Sequence, residues 1–277
     1  MKPVSKTAFY CCGVRALDAA SARPICNDGY AGRFMTPEAW AVFEPFRGLD
    51  GPNASNVVRH RMIDDLLRAR LARRPETGIV IMGAGFDTRA FRLPGGRWVE
   101  LDEPAVIAAK DIEIPAAQAP NPLTRVAIAF DGQPVAPALA PFRDLPEPVV
   151  VLEGVLPYLA DAEASELLCA LRRTFHSPTL VCDLTTRAFS RRFSGEIGDK
   201  LRALGAPFGR LQAEPRELIE AAGFRLESRE SVVARAAALG ALRIPRWLLA
   251  TLLRTLRDGY SIATFVSAPP AATADSG

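Results

Sequence analysis

Five short apolar runs, at residues 79–82, 98–101, 126–130, 149–152 and 179–183, constrain this chain more than any other feature, because helical stretches separate them. Each run is strand-length and bounded by Gly, Pro, Asp or Asn, whereas the stretches beginning near Phe86, Pro104, Pro134 and Asp161 carry helical spacing. Strands joined through helices lie parallel, since a parallel neighbour needs a crossover of about a dozen residues or more. The fold class is therefore α/β, a mostly parallel sheet with helices on both faces. Length agrees: 277 residues is near the size at which single cores stop growing.

A further helix is predicted over 54–74, where Val57, Val58, Met62, Ile63, Leu66, Leu67 and Leu71 fall at helical spacing with Arg on the other face. Two segments escape the alternation. Residues 2–53 carry helical patches before any strand, and 186–211 mix Arg, Phe and Gly; both read as covers over the carboxyl edge of the sheet, where open α/β sheets bind ligands. The runs 224–233 and 260–266 suggest a closing pair of strands. The chain thus divides into a helical cap (1–53), a core (54–185), a lid insertion (186–212), the remainder of the core (213–266) and a disordered tail (267–277).

Charge excludes some functions. Lys and Arg number 34 against 31 Asp and Glu, a net charge of +3, which gives a nucleic-acid partner no footprint. The most apolar stretch, 232–256, is broken by Arg235, Arg243, Pro245, Arg246 and Arg254, so no membrane span is expected. Five Cys without a Cys-x-x-Cys pair, and two His without a ligand-spaced companion, argue against zinc. An odd Cys count with no apolar leader points to a cytoplasmic protein with reduced thiols.

Chemistry concentrates at the strand ends. Gly83 and Gly85 stand in the turn after the first strand, where glycine lets a backbone approach a ligand or simply makes a tight turn. Asp102 ends the second strand, 19 residues after Gly83, where a carboxylate can hold both ribose hydroxyls of a nucleoside or cap the next helix. The third glycine of the dinucleotide fingerprint is absent, since Phe86-Asp87-Thr88 follow. That favours a nucleoside without phosphate over a nicotinamide dinucleotide, and S-adenosylmethionine is the common one.

The ordered set RHRMIDDLL (59–67), GAGFDTRAFRL (83–93), ELDEP (100–104) and EGVLPYL (153–159) resembles the leucine carboxyl methyltransferase family, in its bacterial S-adenosylmethionine-dependent branch. The resemblance implies a class I methyltransferase fold with a seven-stranded sheet. It also implies that Arg15 and Arg59 grip the cofactor's carboxylate, a fork that guanidinium meets with two N–H groups. Arg61 is the neighbouring candidate, and a solvated helix face is the plain reading of each. By the same resemblance Asp131 meets the adenine amino group, although a turn-forming Asp-Gly looks alike and the family more often has Leu where Gly132 stands. Glu153 lies beside the amino acid part and sulfonium, and Tyr158 faces the methyl-transfer space or is a core aromatic. Asp64 ties its helix to the glycine turn through backbone N–H groups, while His60 and His176 have no acid beside them in sequence and Cys11 and Cys12 read as small hydrophobes.

The reaction expected is methyl transfer from S-adenosylmethionine to an oxygen of a small-molecule acceptor. A carboxylate, already ionised at neutral pH, needs no base and suits a His-poor chain. A phenolic or polyketide-like hydroxyl, a protein carboxyl group, or cofactor binding without turnover are the alternatives.

Overall fold

The computed structural model describes residues 2–129, 134–206 and 208–268. Helices α1 (Pro3–Ala19), α2 (Pro37–Phe43) and α3 (Asp50–Arg73) precede the first strand, β1 (Gly78–Met82). Then come α4 (Arg89–Arg92), β2 (Arg97–Asp102), α5 (Pro104–Glu113), β3 (Leu123–Ala127), α6 (Val135–Leu139), β4 (Val149–Leu152), α7 (Asp161–Thr174) and β5 (Thr179–Thr185). The rest comprises α8 (Arg187–Phe193), α9 (Gly195–Ala203), α10 (Pro215–Ala221), β6 (Phe224–Ser231), α11 (Val232–Ala238), α12 (Arg246–Ala250), α13 (Arg254–Gly259) and β7 (Tyr260–Ser267).

The seven strands form one sheet in the order β3-β2-β1-β4-β5-β7-β6. β1 to β5 are parallel, and β7 runs antiparallel to both β5 and β6. Strand periodicity sends alternate side chains to opposite layers. Val80, Met82, Val150 and Leu152 pack with Leu168 and Leu171 of α7 and Ile219 of α10. Ile79, Ile81, Val149 and Val151 meet Ile63, Leu67 and Leu71 of α3 and Val232 of α11. Each such side chain contributes roughly 1.5–3 kcal/mol when fully buried, so the central strands read as unbroken apolar runs.

The cap has its own core of Tyr10, Cys12, Phe34, Phe43 and Phe46, closed by Val57 of α3 and Leu201 of α9. α1 and α2 approach closely because Gly13 has no side chain: a Cβ there would lie 2.7 Å from the Phe43 ring.

Three expectations need correction. The third strand covers Leu123–Ala127, not 126–130, because pairing with β2 sets it, from Trp98↔Leu123 to Asp102↔Ala127. As an edge strand it is only partly buried, so apolarity does not mark its length. The helix expected from Phe86 is a single turn, Arg89–Arg92, ended by extended Leu93 before Pro94. Ser267 belongs to β7; residues 269–277 of the expected tail lie outside the described residues.

Candidate active site

The sheet order reverses between β1 and β4, and there the strand ends open into a cavity of about 1140 Å³. Such a reversal leaves a crevice because the crossovers on its two sides depart to opposite faces. Its walls come from the ends of β1, β2, β4 and β5, from α1 and α3, and from the lid region over 187–213.

Gly83 and Gly85 adopt φ of +62° and +47°, in the left-handed region that glycine tolerates. A Cβ at Gly83 would lie 3.0 Å from Val155 Cγ2, and one at Gly85 3.3 Å from Ala8 Cβ. The turn is therefore held between α1 and the segment after β4. Asp102 secures it from β2: Oδ2 accepts from the Gly85 N–H (2.5 Å) and Oδ1 from the Glu103 N–H (2.7 Å). Asp102 is 7% exposed, and burial pushes its carboxyl up to about 6 although both backbone donors oppose this. It does not cap α5, whose N-cap is Glu103. Asp102 lines the cavity, and each of its oxygens, having accepted one backbone N–H, retains capacity to accept another donor.

Behind the turn lies a buried ion network. Arg59 on α3 donates Nε to Glu153 Oε1 (3.0 Å) and Nη1 to Asp183 Oδ2 (3.3 Å) and the Tyr260 hydroxyl (3.1 Å). Arg89 joins Glu153 Oε2 (2.8 Å), Asp64 Oδ1 (2.6 Å) and Asp87. Arg92 donates to Asp64 Oδ2 (2.7 Å) and Thr88 Oγ1 (2.7 Å). Arg15 donates Nε to Asp28 Oδ2 (3.0 Å) and Nη2 to the Phe86 carbonyl (2.7 Å), fastening α1 to the glycine turn. Burial pushes Glu153 up, but the Arg89 and Arg59 charges, with a hydrogen bond to His60, outweigh it and hold its carboxyl well below the usual carboxylate range.

The sequence candidates fall into place unevenly. Arg15, Arg59, Gly83, Gly85, Asp102, Glu153 and Tyr158 all line the one cavity. Arg61 does not; it pairs with Asp65 (2.8 Å) and the Ile25 carbonyl (2.8 Å). Asp131 lies outside the described residues. Arg15 and Arg59 sit in carboxylate networks of their own, so neither is the solvated helix face that sequence left open. Asp64 ties α3 to the turn through the side chains of Arg89 and Arg92 and not through backbone N–H groups.

His60 is corrected most sharply. It is buried with Nδ1 3.3 Å from Glu153 Oε2, and its ring nitrogens lie 2.8 Å from Arg89 Nη2 and 2.8 Å from Arg92 Nη2. Burial, with Arg89, pushes its pKa down. His176 is exposed and away from the cavity. His60, Asp87 and Glu153 bring ligand atoms within 4.8 Å of one another, a grouping that could suit a metal ion. Arg89 already reaches all three, so a guanidinium fills that place.

The lid side of the cavity is aromatic. Tyr158, half-buried, bonds to Thr7 and meets Phe208 edge-on at 5.6 Å. Phe189 of α8 packs so closely on Gly259 that a Cβ there would lie 2.5 Å from its own, and it meets Tyr260 at 5.8 Å. The lid is thereby anchored to β7.

Sequence reading missed Asp183, Asp28 and Arg89. Asp183 carried the same signal as Glu153, an acid closing an apolar strand; the others carried none.

Residues 8–172 match the leucine carboxyl methyltransferase family model. The tetracenomycin polyketide synthesis O-methyltransferase TcmP of Streptomyces glaucescens is 25% identical over 249 residues, covering 88% of this chain and 89% of that protein. A Parafrankia sp. protein provisionally named as an S-adenosyl-L-methionine-dependent methyltransferase is 30% identical over 184 residues, 61% of this chain and 59% of that protein. Among solved structures, a DUF574 family protein from Streptomyces avermitilis aligns with a TM-score of 0.57 at 14% identity, covering 87% of this chain and 95% of that one.

Proposed function

The chain belongs to the leucine carboxyl methyltransferase family, and from that membership we propose that it methylates the carboxylate of an apolar small acid, giving a methyl ester. It is an S-adenosylmethionine-dependent methyltransferase of class I fold. When bound, S-adenosylmethionine supplies an electrophilic methyl group on its sulfonium. The residues present fit that cofactor. Gly83 and Gly85 leave room for close approach, Asp102 offers ionised oxygens to ribose, and the Arg15 and Arg59 guanidiniums border the cavity.

The observation that carries the acceptor assignment is the state of the groups from which a general base would come. Burial holds the proton on Tyr158, while Glu153 is taken up by Arg59 (3.0 Å) and Arg89 (2.8 Å), and the two His60 ring nitrogens face Arg89 (2.8 Å) and Arg92 (2.8 Å). None of the three is poised to take a proton near neutral pH, which a hydroxyl acceptor would require. A carboxylate needs no deprotonation. The chain's work is then to hold the acceptor in line and exclude water, with Tyr158 as a hydrogen-bonding guide at the cavity wall.

Cavity size and lining support an apolar acid. About 1140 Å³ exceeds the usual range for one drug-sized ligand, roughly 300–1,000 Å³, which leaves space for an acceptor beside the cofactor. That space is walled by Phe189, Phe193, Ile197, Phe208, Leu242 and Ile244, with Arg187 and Arg191 on its border. The name of the Streptomyces relative, an O-methyltransferase of polyketide synthesis, supports a small-molecule acceptor methylated on oxygen.

The test is incubation of the purified protein with methyl-labelled S-adenosylmethionine and a panel of apolar carboxylic acids and phenols. The expected product releases its label as methanol in alkali, as an ester does, at a cofactor-saturated rate that is flat from about pH 7 to 9. An alkali-stable product, or a rate climbing steeply through neutral pH, would overturn the carboxylate assignment.

A further inference from the structure

Several buried side-chain polar atoms find no hydrogen-bond partner among the described residues, and two of them belong to residues that line the cavity, Ser5 Oγ and Asn56 Oδ1. A hydroxyl can rotate to donate or accept, whereas an amide oxygen can only accept. Asn56 is 5% exposed and sits on α3 one turn before Arg59 and His60, sharing their face of the helix. Its Nδ2 donates to Cys11 Sγ at 3.2 Å, and the same sulfur lies 3.8 Å from Arg59 Nη2. The amide is thus held on one side and bare on the other. A buried acceptor left bare is costly and points to a donor supplied from outside the chain.

We propose that Asn56 Oδ1 accepts a hydrogen bond from the α-ammonium group of the cofactor's amino acid portion, an inference that rests on the cofactor reading above. An ammonium brings three N–H donors and must find acceptors. The carboxylates of this wall are already engaged. Glu153 serves Arg59, Arg89 and His60, and Asp183 takes Arg59 and Tyr260 on one oxygen and the Gly154 N–H (2.7 Å) on the other. An α-amino acid carries its carboxylate and ammonium on one carbon. A guanidinium and a bare acceptor one helical turn apart, bridged by Cys11, match that pair.

The test measures affinities of the wild type, Asn56→Ala and Asn56→Asp by calorimetry for three ligands. These are S-adenosylhomocysteine, its deamino analogue with hydrogen in place of the ammonium, and 5′-methylthioadenosine, which lacks the amino acid portion. Asn56→Ala should weaken S-adenosylhomocysteine about tenfold, the scale of one charge-assisted hydrogen bond, and leave the other two ligands within about twofold. Asn56→Asp, which keeps an accepting oxygen, should retain most of the affinity. Unchanged methylthioadenosine binding doubles as the folding control. A loss that persists with the deamino analogue would overturn the proposal, since it would mean that the amide is reversed and its NH₂ reads the carboxylate; no loss at all would also overturn it. Failure of the wild type to bind any of the three ligands would sink the cofactor reading itself, which is a different result.

Discussion

Binding of S-adenosylhomocysteine should release protons near pH 6, and Asp102 should be their source. Burial raises the Asp102 carboxyl to about 6 in the free protein. Ribose hydroxyls donating to it favour the ionised form. One hydrogen bond to a charged group is worth about 1.5–3 kcal/mol, and a pKa moves one unit for about 1.4 kcal/mol, so the complex should titrate about one to two units lower. At pH 6 the free carboxyl is half protonated while the bound one is almost wholly ionised, so about half a proton leaves per ligand; at pH 8 almost none does. Since the ionised form binds, affinity should fall as pH falls, by roughly eightfold from pH 7 to pH 5. The same raised value makes ionised Asp102 a burden on the free fold, on the order of 3 kcal/mol lost as pH rises from the ordinary carboxyl range through 6. Calorimetry in buffers of differing ionisation enthalpy reads the proton count directly. Asp102→Asn should bind more weakly, with no release and no dependence on pH. If the wild type released no more protons at pH 6 than this variant, the ribose assignment would be wrong.

Arg59→Ala should lower stability by about 3–5 kcal/mol in a denaturant melt, because it leaves buried Asp183 without a cation and Glu153 with Arg89 alone; a loss below about 1 kcal/mol would contradict the network. His60→Ala should lower Tm yet leave the shape of the rate-pH profile unchanged, since the ring supports Glu153 and Arg89 and collects no proton. Gly85→Val should weaken S-adenosylhomocysteine and destabilise the protein by at least about 1–2 kcal/mol, from left-handed backbone strain and crowding against Ala8. Tyr158→Phe should cut turnover about fivefold, the effect of one positioning hydrogen bond of about 1 kcal/mol, measured with the acceptor found in the ester assay.

Legibility in the sequence followed burial. β1, β4 and β5 are covered on both faces, so their apolar runs mark them almost to the residue, whereas β3 at the edge reveals its span only through its pairing with β2. Gly83, Gly85 and Asp102 could be found because strand-end positions limit which residue types work there. The ion network could not. Arg89 resembles any arginine after a glycine turn until Asp64 and His60 from α3 and Glu153 from β4 close on it, and Asp28 comes from a loop with no pattern. Such contacts join residues far apart in the chain, and the partner's identity is written in neither local segment. Asp183 is the instructive miss, because the reason that singled out Glu153 applied equally to it.

The position of β7 has a meaning for synthesis. It is the last strand in the described chain, yet it lies between β5 and β6, and its first residue reaches Arg59 and Asp183 through the Tyr260 hydroxyl. On a ribosome, β6 emerges with no seat in the sheet, and the lid helix bearing Phe189 waits for Gly259 and Tyr260 to dock against. The docking of the lid on Gly259 and the Tyr260 contacts to Arg59 and Asp183 therefore come only with the final strand, so a chain truncated before Gly259 should lack both, whatever else of it has folded.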